Sequence, residues 1–345
     1  MTKHKFFQFF IILVFPFGLV CCKNDRPAGT EAPKPMAKTG NAQIDSLTER
    51  IFKEPKNANL YFERAKLFDA HPDKGGYDFA IMDMKYAMKI DSTNVDYHHF
   101  LSDIYMKYAQ SRLALNTMER AVELYPDRLP TLLKLAEDQV IVQQNAESLQ
   151  TLNHVLKLDP QNAEAYFLLG QNFKQTKDTT RAINSFQKAV DLNSDYTDAF
   201  IELGILFEKK NSPLALKYFD NALLRDSLNL PALFAKGVYF QNKNRIGEAM
   251  EIYQKITRID PHYADAYFNL GMMYLGVDSL NRAYDYFDSV INVKPTYYKA
   301  YFYKGQIEER GGDPKAALAS YRQATGLAPG YLMAKEAEER IMNNK

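Results

Sequence analysis

The chain has 345 residues, of which 46% are hydrophobic and 25% are charged, a composition typical of folded proteins. Its 43 Lys and Arg nearly balance its 42 Asp and Glu, so no net field would attract nucleic acid, and no nucleic-acid partner is expected. The only two cysteines are Cys21 and Cys22, which excludes disulfides and thiolate metal sites from everything that follows them.

Residues 1–22 have the features of an export signal. Lys3 and Lys5 give a basic start, and an apolar stretch follows over residues 6–20. This stretch is shorter than the roughly 20 residues that a membrane-spanning helix needs, and it suits the apolar part of a signal peptide. A buried core helix is the alternative, but Pro16 would break it.

The sequence Leu19-Val20-Cys21-Cys22 resembles the lipobox of bacterial lipoproteins. This resemblance implies that Cys22 becomes a lipid-bearing N-terminus, carrying palmitate-type chains that anchor the protein to a membrane. Cys21 is the alternative attachment site, since it stands where Gly, Ala or Ser is usual. Lys23, where inner-membrane lipoproteins carry Asp, implies the outer membrane of a bacterial cell envelope, on either its periplasmic or its surface face.

A polar segment rich in Pro, Gly and Ala follows at residues 23–43, and it predicts a flexible tether. Its reach as a random coil is on the order of 25 Å. Residues 44–57 then predict a short amphipathic helix, since Ile44, Leu47 and Ile51 share one face before Pro55.

A period of about 34 residues organises the chain from residue 58 onward. In each marked unit an aromatic or Leu residue precedes a glycine by four positions, and an alanine and then an aromatic follow about twelve and sixteen positions later. Prolines mark several unit ends, where they stop a helix. The glycines lie 34, 33, 34 and 34 residues apart: Gly170, Gly204, Gly237, Gly271 and Gly305.

These residues resemble the tetratricopeptide repeat. The resemblance implies an all-α fold, a right-handed superhelical solenoid of about eight helical hairpins with N- and C-terminal capping helices, the latter at 332–345. Stacked hairpins bury a continuous core that no single hairpin could bury. The eight units comprise residues 58–94, 95–128, 129–162, 163–196, 197–229, 230–263, 264–297 and 298–331.

No motif for phosphate binding, zinc-dependent hydrolysis or nucleophilic catalysis occurs in the sequence, so neither a cofactor nor a catalytic residue is expected. His98 and His99 are adjacent and would point about 100° apart on a helix, which disfavours a shared metal ion. No metal site is therefore expected. An active site assembled across several repeats is the alternative.

The resemblance implies a concave groove lined by the first helix of each unit, with positions 2, 5, 9 and 12 of the unit facing inward. Position 5 is apolar in seven of the eight units, and positions 9 and 12 add apolar residues in the middle and later units. Packing of the position 5 aromatics against the adjacent first helix is the alternative. The predicted peptide-binding groove consists of Phe167, Ile201, Ile205, Phe234, Val238, Phe268, Met272 and Phe302.

The expected function is a scaffold of the bacterial envelope that serves assembly, secretion or export, and not an enzyme. Its partners would be other proteins, bound through extended or helical segments with spaced apolar anchors. A periplasmic holdase is one alternative, and an envelope enzyme is another. Adaptors of this family that clamp a chaperone's C-terminal carboxylate use Lys at position 5 and Asn at position 9, and this chain has neither.

Overall fold

The computed structural model describes residues 39–71 and 76–343, and these residues form 18 α-helices and no strand. The predicted export signal, both cysteines and most of the predicted tether lie outside the described residues. The helices belong to two compact units, which divide between Ser92 and Thr93. The prediction of an all-α repeat fold is confirmed.

The first unit contains three helices, α1 (Ala42–Lys53), α2 (Ala58–Ala70) and α3 (Gly76–Ile90). The Asn41 side chain accepts hydrogen bonds from the first backbone N–H groups of α1, which starts this helix. A buried ion pair joins α2 to α3, with Arg64 Nη2 lying 2.7 Å from Asp83 Oδ1. Arg64 also donates to Thr48 Oγ1 at 2.9 Å, so the pair ties all three helices together.

The second unit contains α4 to α18, of which fourteen helices form seven hairpins. The first helices of these hairpins are α4 (Val95–Lys107), α6 (Leu129–Ile141), α8 (Ala163–Gln175), α10 (Thr197–Lys209), α12 (Leu230–Asn242), α14 (Ala264–Gly276) and α16 (Tyr298–Arg310). The second helices are α5 (Ser111–Leu124), α7 (Asn145–Leu158), α9 (Thr179–Leu192), α11 (Leu214–Arg225), α13 (Ile246–Ile259), α15 (Leu280–Val293) and α17 (Pro314–Leu327). Each first helix, including α2, begins at the first residue of one predicted repeat.

The helices of each hairpin cross closely at position 8 of the repeat. In five repeats this residue is glycine, and an aromatic ring from the second helix lies directly over it: a Cβ added to Gly170 would come within 2.5 Å of the Phe186 ring. The other three repeats carry Ala or Ser at position 8 and an aliphatic side chain in place of the ring. These three pairs are Ala65 with Met84, Ser102 with Met118, and Ala136 with Leu152.

The turn inside each hairpin of the second unit uses one residue in the left-handed backbone conformation. In the second unit this residue always stands at position 15, and its φ ranges from 54° at Asn211 to 80° at Gly312. A left-handed residue ends the first helix and reverses the chain within a few residues. The hairpins therefore share one tight geometry.

The last helix, α18 (Leu332–Asn343), packs on α17 and closes the stack. Its buried residues are Ala334, Ala337 and Ile341, whereas Met333 is 51% exposed. Met333 lies outside the buried stripe, because residues 334, 337 and 341 follow the i, i+3, i+7 spacing of one helical face. The stack ends here with charged side chains facing outward.

Candidate functional site

The first helices of the second unit lie side by side. Besides packing on its own second helix, α4 contacts α6, α6 contacts α8, and α10 contacts α12. Each second helix instead packs on the first helix of the next repeat. We call the exposed face of these first helices the inner surface.

The position 5 aromatics of the inner surface are held between other rings. Phe167 lies 5.5 Å, centroid to centroid, from Phe186 of its own hairpin and 4.9 Å from Tyr196, the last residue of the repeat. The same sandwich recurs at Phe268, which lies 5.7 Å from Phe287 and 5.1 Å from Tyr297. These contacts support the packing alternative for position 5, because each ring already packs against two aromatic neighbours.

The tyrosine of each sandwich stands 29 residues after its phenylalanine. The sequence analysis did not identify these tyrosines, although their spacing from the phenylalanines is visible in the sequence. The four pairs are Phe167 with Tyr196, Phe234 with Tyr263, Phe268 with Tyr297, and Phe302 with Tyr331.

Two residues of the predicted groove lie in the core. Ile201 is 7% exposed and packs in the cluster around Phe186 and Phe200, while Phe302 is 2% exposed and packs against Tyr321 and Tyr331. Neither side chain offers surface to a ligand in this structure. The other predicted position 5 residues, Phe167, Phe234 and Phe268, are half-buried.

Position 9 provides three further apolar residues of the first helices. Ile205 on α10, Val238 on α12 and Met272 on α14 are all half-buried, and they come from three consecutive repeats. We call these three residues the apolar row. Ile205 and Met272 rest partly on the core below them, which fixes their positions.

The inner surface is polar in the earlier repeats of the second unit. Lys134 on α6 lies 2.7 Å from Asp103 of the preceding repeat and 3.0 Å from Glu137. Between α8 and α10, Lys174 donates to Glu202 at 2.6 Å. These bonds join neighbouring first helices, so many charges of this region have structural partners.

Carboxylates also gather around the Tyr196 ring. Burial raises the pKa of the Tyr196 hydroxyl, and the nearby charges of Glu164, Asp198 and Glu137 raise it further. Burial, followed by the charge of Glu137, likewise raises the pKa of Glu164. The potential at this part of the inner surface is therefore negative.

The two adjacent histidines have separate structural contacts. His98 is buried, with Nδ1 lying 3.3 Å from the Thr117 carbonyl oxygen, and His99 Nε2 lies 3.1 Å from Thr131 Oγ1. Burial, and next the charge of Arg128, lowers the pKa of His99. Across residues 39–71 and 76–343, no three His, Cys, Asp or Glu side chains are grouped as metal ligands would be.

Within the part of the chain that the structure describes, every helix is too short or too polar to cross a bilayer. The position of the protein relative to a membrane thus remains a prediction from the N-terminal residues.

Comparison with known proteins agrees with this architecture. Models of the tetratricopeptide repeat match residues 163–196, 230–263 and 276–331. The protein CTR9 homolog of Arabidopsis thaliana is 26% identical over 196 residues, a region covering 52% of this chain but only 17% of that relative. The chain therefore corresponds to a small part of this relative.

Solved structures show the same fold at low identity. The chain is similar to the APC/C hetero-tetramer Cut9–Hcn1, with a TM-score of 0.55 and 16% identity over 86% of this chain and 58% of that one. It is also similar to PilW, a type IV pilus biogenesis factor, with a TM-score of 0.53 and 20% identity over 60% of this chain and 97% of that one. The matched stretches and the paired helices show that the chain contains tetratricopeptide repeats.

Proposed function

We propose that this protein is a non-enzymatic scaffold of the bacterial envelope, whose inner surface binds a segment of another protein. The observation that carries the proposal is the apolar row, in which Ile205, Val238 and Met272 remain partly exposed on three consecutive first helices. Apolar side chains aligned on one surface of a folded protein mark a binding site.

The spacing of the row selects the kind of ligand. Neighbouring helices pack about 10 Å apart, and an extended chain advances about 3.3 Å per residue. One apolar side chain per repeat would therefore contact every third residue of an extended segment. A segment with apolar residues at this interval would contact all three members of the row.

The envelope location is supported by the sequence alone. Cys22 is the proposed lipid-attachment residue, with Cys21 as the alternative, and the polar residues 23–38 would separate the helices from the membrane. PilW, a pilus biogenesis factor, shares the fold, and pilus assembly is one process in which such a scaffold could act.

A holdase that shields unfolded chains is the second candidate, because the same apolar row could contact many sequences. The two functions differ in the number of partners. A scaffold binds one or a few proteins in fixed stoichiometry, whereas a holdase binds many.

Affinity purification from the host, quantified by mass spectrometry, tests the proposal. We expect one or a few stoichiometric partners, with recovery reduced about tenfold by Val238→Asp, since a charge would be placed against an apolar anchor. Val238→Thr keeps the shape and should retain most of the recovery. Leu224→Asp provides a control, because Leu224 is 81% exposed on the second helix α11.

Partners that are recovered equally well with Val238→Asp would contradict binding at the inner surface. Recovery of many unrelated proteins, all sensitive to Val238→Asp, would favour the holdase.

A further inference from the structure

The inner surface changes its chemical character between α8 and α10. Position 9 carries Asp103, Glu137 and Gln171 on α4, α6 and α8, and it then carries the apolar row on α10, α12 and α14 before it is polar again at Gln306 on α16. The polar part and the apolar part are adjacent on consecutive first helices.

Negative charge dominates the polar part. Glu137 on α6, Glu164 on α8 and Asp198 on α10 stand on three consecutive first helices, and we call these three carboxylates the acidic surface. Glu137 contacts Lys134, a lysine that also lies 2.7 Å from Asp103 and 3.6 Å from Asp138, so one cation is shared among three carboxylates. Glu164 and Asp198 are both exposed. The acidic surface therefore has more negative charge than its neighbouring lysine can balance.

From this juxtaposition we infer that the segment bound by the apolar row carries Lys or Arg residues beside its apolar anchors. The inference rests on the proposed function and specifies the partner's chemistry. A cationic stretch would complement the acidic surface and speed association, while an acidic stretch would be repelled. An apolar segment without charged residues would contact the apolar row but would not complement the acidic surface.

The distance between the two parts limits where the cations lie. Asp198 and Ile205 stand on the same helix, seven residues apart, which corresponds to about 10 Å along α10. An extended segment covers this distance with about three residues. The cationic residues should therefore lie within roughly three to six residues of the first apolar anchor, before or after it in the chain.

Synthetic peptides test this directly against the purified protein. All carry the same block with Leu at every third position, joined at either end to a Lys-Ser, Gly-Ser or Glu-Ser block of equal length. In fluorescence anisotropy at low salt, at least one Lys-Ser peptide should bind about tenfold more tightly than the matching Gly-Ser peptide, and Glu-Ser peptides should bind most weakly. The differences should shrink at high salt.

Protein variants identify the surface responsible. The triple variant Glu137→Gln, Glu164→Gln and Asp198→Asn should remove most of the preference for the Lys-Ser peptide. The control variant makes the same change in charge on second helices, with Glu147→Gln, Asp191→Asn and Glu251→Gln, all at exposed positions. It should keep the preference.

The outcomes separate the inference from the proposed function. If all peptides bind alike and Val238→Asp weakens them equally, the charge inference is overturned and the apolar site stands. The inference is also overturned if both triple variants reduce the preference equally, since the effect would then be a general one of net charge. If no peptide binds, or if Val238→Asp has no effect on binding, both proposals fail.

Discussion

Single residues in the hairpin turns show how much backbone strain each repeat tolerates. Ala109, Gln143 and Lys177 hold φ values of 58°, 63° and 63°, in a region that side chains with a Cβ enter at a cost. Gly312 occupies the same position of the last repeat at no such cost. The turn is thus imposed by the packing of the two helices and not by the residue in it.

Gly312 allows this backbone cost to be measured by itself. A Cβ at Gly312 would meet nothing within 4 Å, so Gly312→Ala should lower the free energy of unfolding by about 1 kcal/mol through backbone strain alone. Gly326→Ala is the matched control, since Gly326 lies in α17 and a Cβ there would also meet nothing within 4 Å. Because the backbone at Gly326 is helical, this replacement should raise the free energy of unfolding by up to about 1 kcal/mol. Urea unfolding would contradict this explanation if both changes had the same sign.

Glu164 links the acidic surface to stability. Its pKa is raised above the ordinary value of 4.5 in the folded state, so the unfolded chain ionises first as the pH rises. The folded protein therefore loses stability between pH 4.5 and the folded pKa, and the loss persists above it. Because Glu164 is exposed in part, the effect should stay below about 1 kcal/mol.

Glu164→Gln should accordingly raise the free energy of unfolding at pH 7. It should leave this free energy unchanged near pH 3.5, where Glu164 is protonated in both the folded and the unfolded chain. Chemical unfolding at a series of pH values provides the measurement. A variant that is less stable than the wild type at pH 7 would show that Glu164 has a favourable partner.

The helix pair is the element that this sequence specifies most clearly. Glycines in phase, prolines at unit ends and apolar stripes predicted where each hairpin begins, because these signals act within one repeat. The burial of the position 5 aromatics was not predicted in this way, since it depends on a contact between Phe167 in α8 and Tyr196 at the start of α10. Which of two apolar residues is exposed depends on such contacts between elements.

Substitutions at position 8 and at the second-helix residue that packs over it should have coupled effects on stability. Gly271→Ala would bring a Cβ to 2.8 Å from the Phe287 ring and should cost about 1–3 kcal/mol through overpacking. Phe287→Leu alone should also destabilise, because it leaves a cavity. Together they recreate the Ala136 and Leu152 pair of another repeat, so the double variant should lose less than the sum of the two single losses. Additive losses in this cycle would argue against the direct contact.

At the scale of the molecule, the second unit is a stack in which the proposed binding surface and the core occupy different faces of the first helices. The second helices and the small residues at position 8 build the core, while the first helices also expose a polar part and an apolar part on the inner surface. The sequence analysis predicted an apolar groove across the middle and later repeats. The acidic surface was missed because only the apolar residues of the inward-facing positions were considered, whereas Glu164 and Asp198 stand at position 2 and Glu137 stands at position 9 of their repeats.

Crosslinking from chosen sites tests the central claim, that the inner surface holds a protein segment, most directly. A photoreactive amino acid would replace Val238 or Met272 on the inner surface, or the exposed residues Leu224 or Glu251 on second helices, in full-length protein in its host. We predict that the two inner positions crosslink to the same one or few proteins, and that the two outer positions do not. Equal capture from both faces, or capture only from the second helices, would contradict the claim.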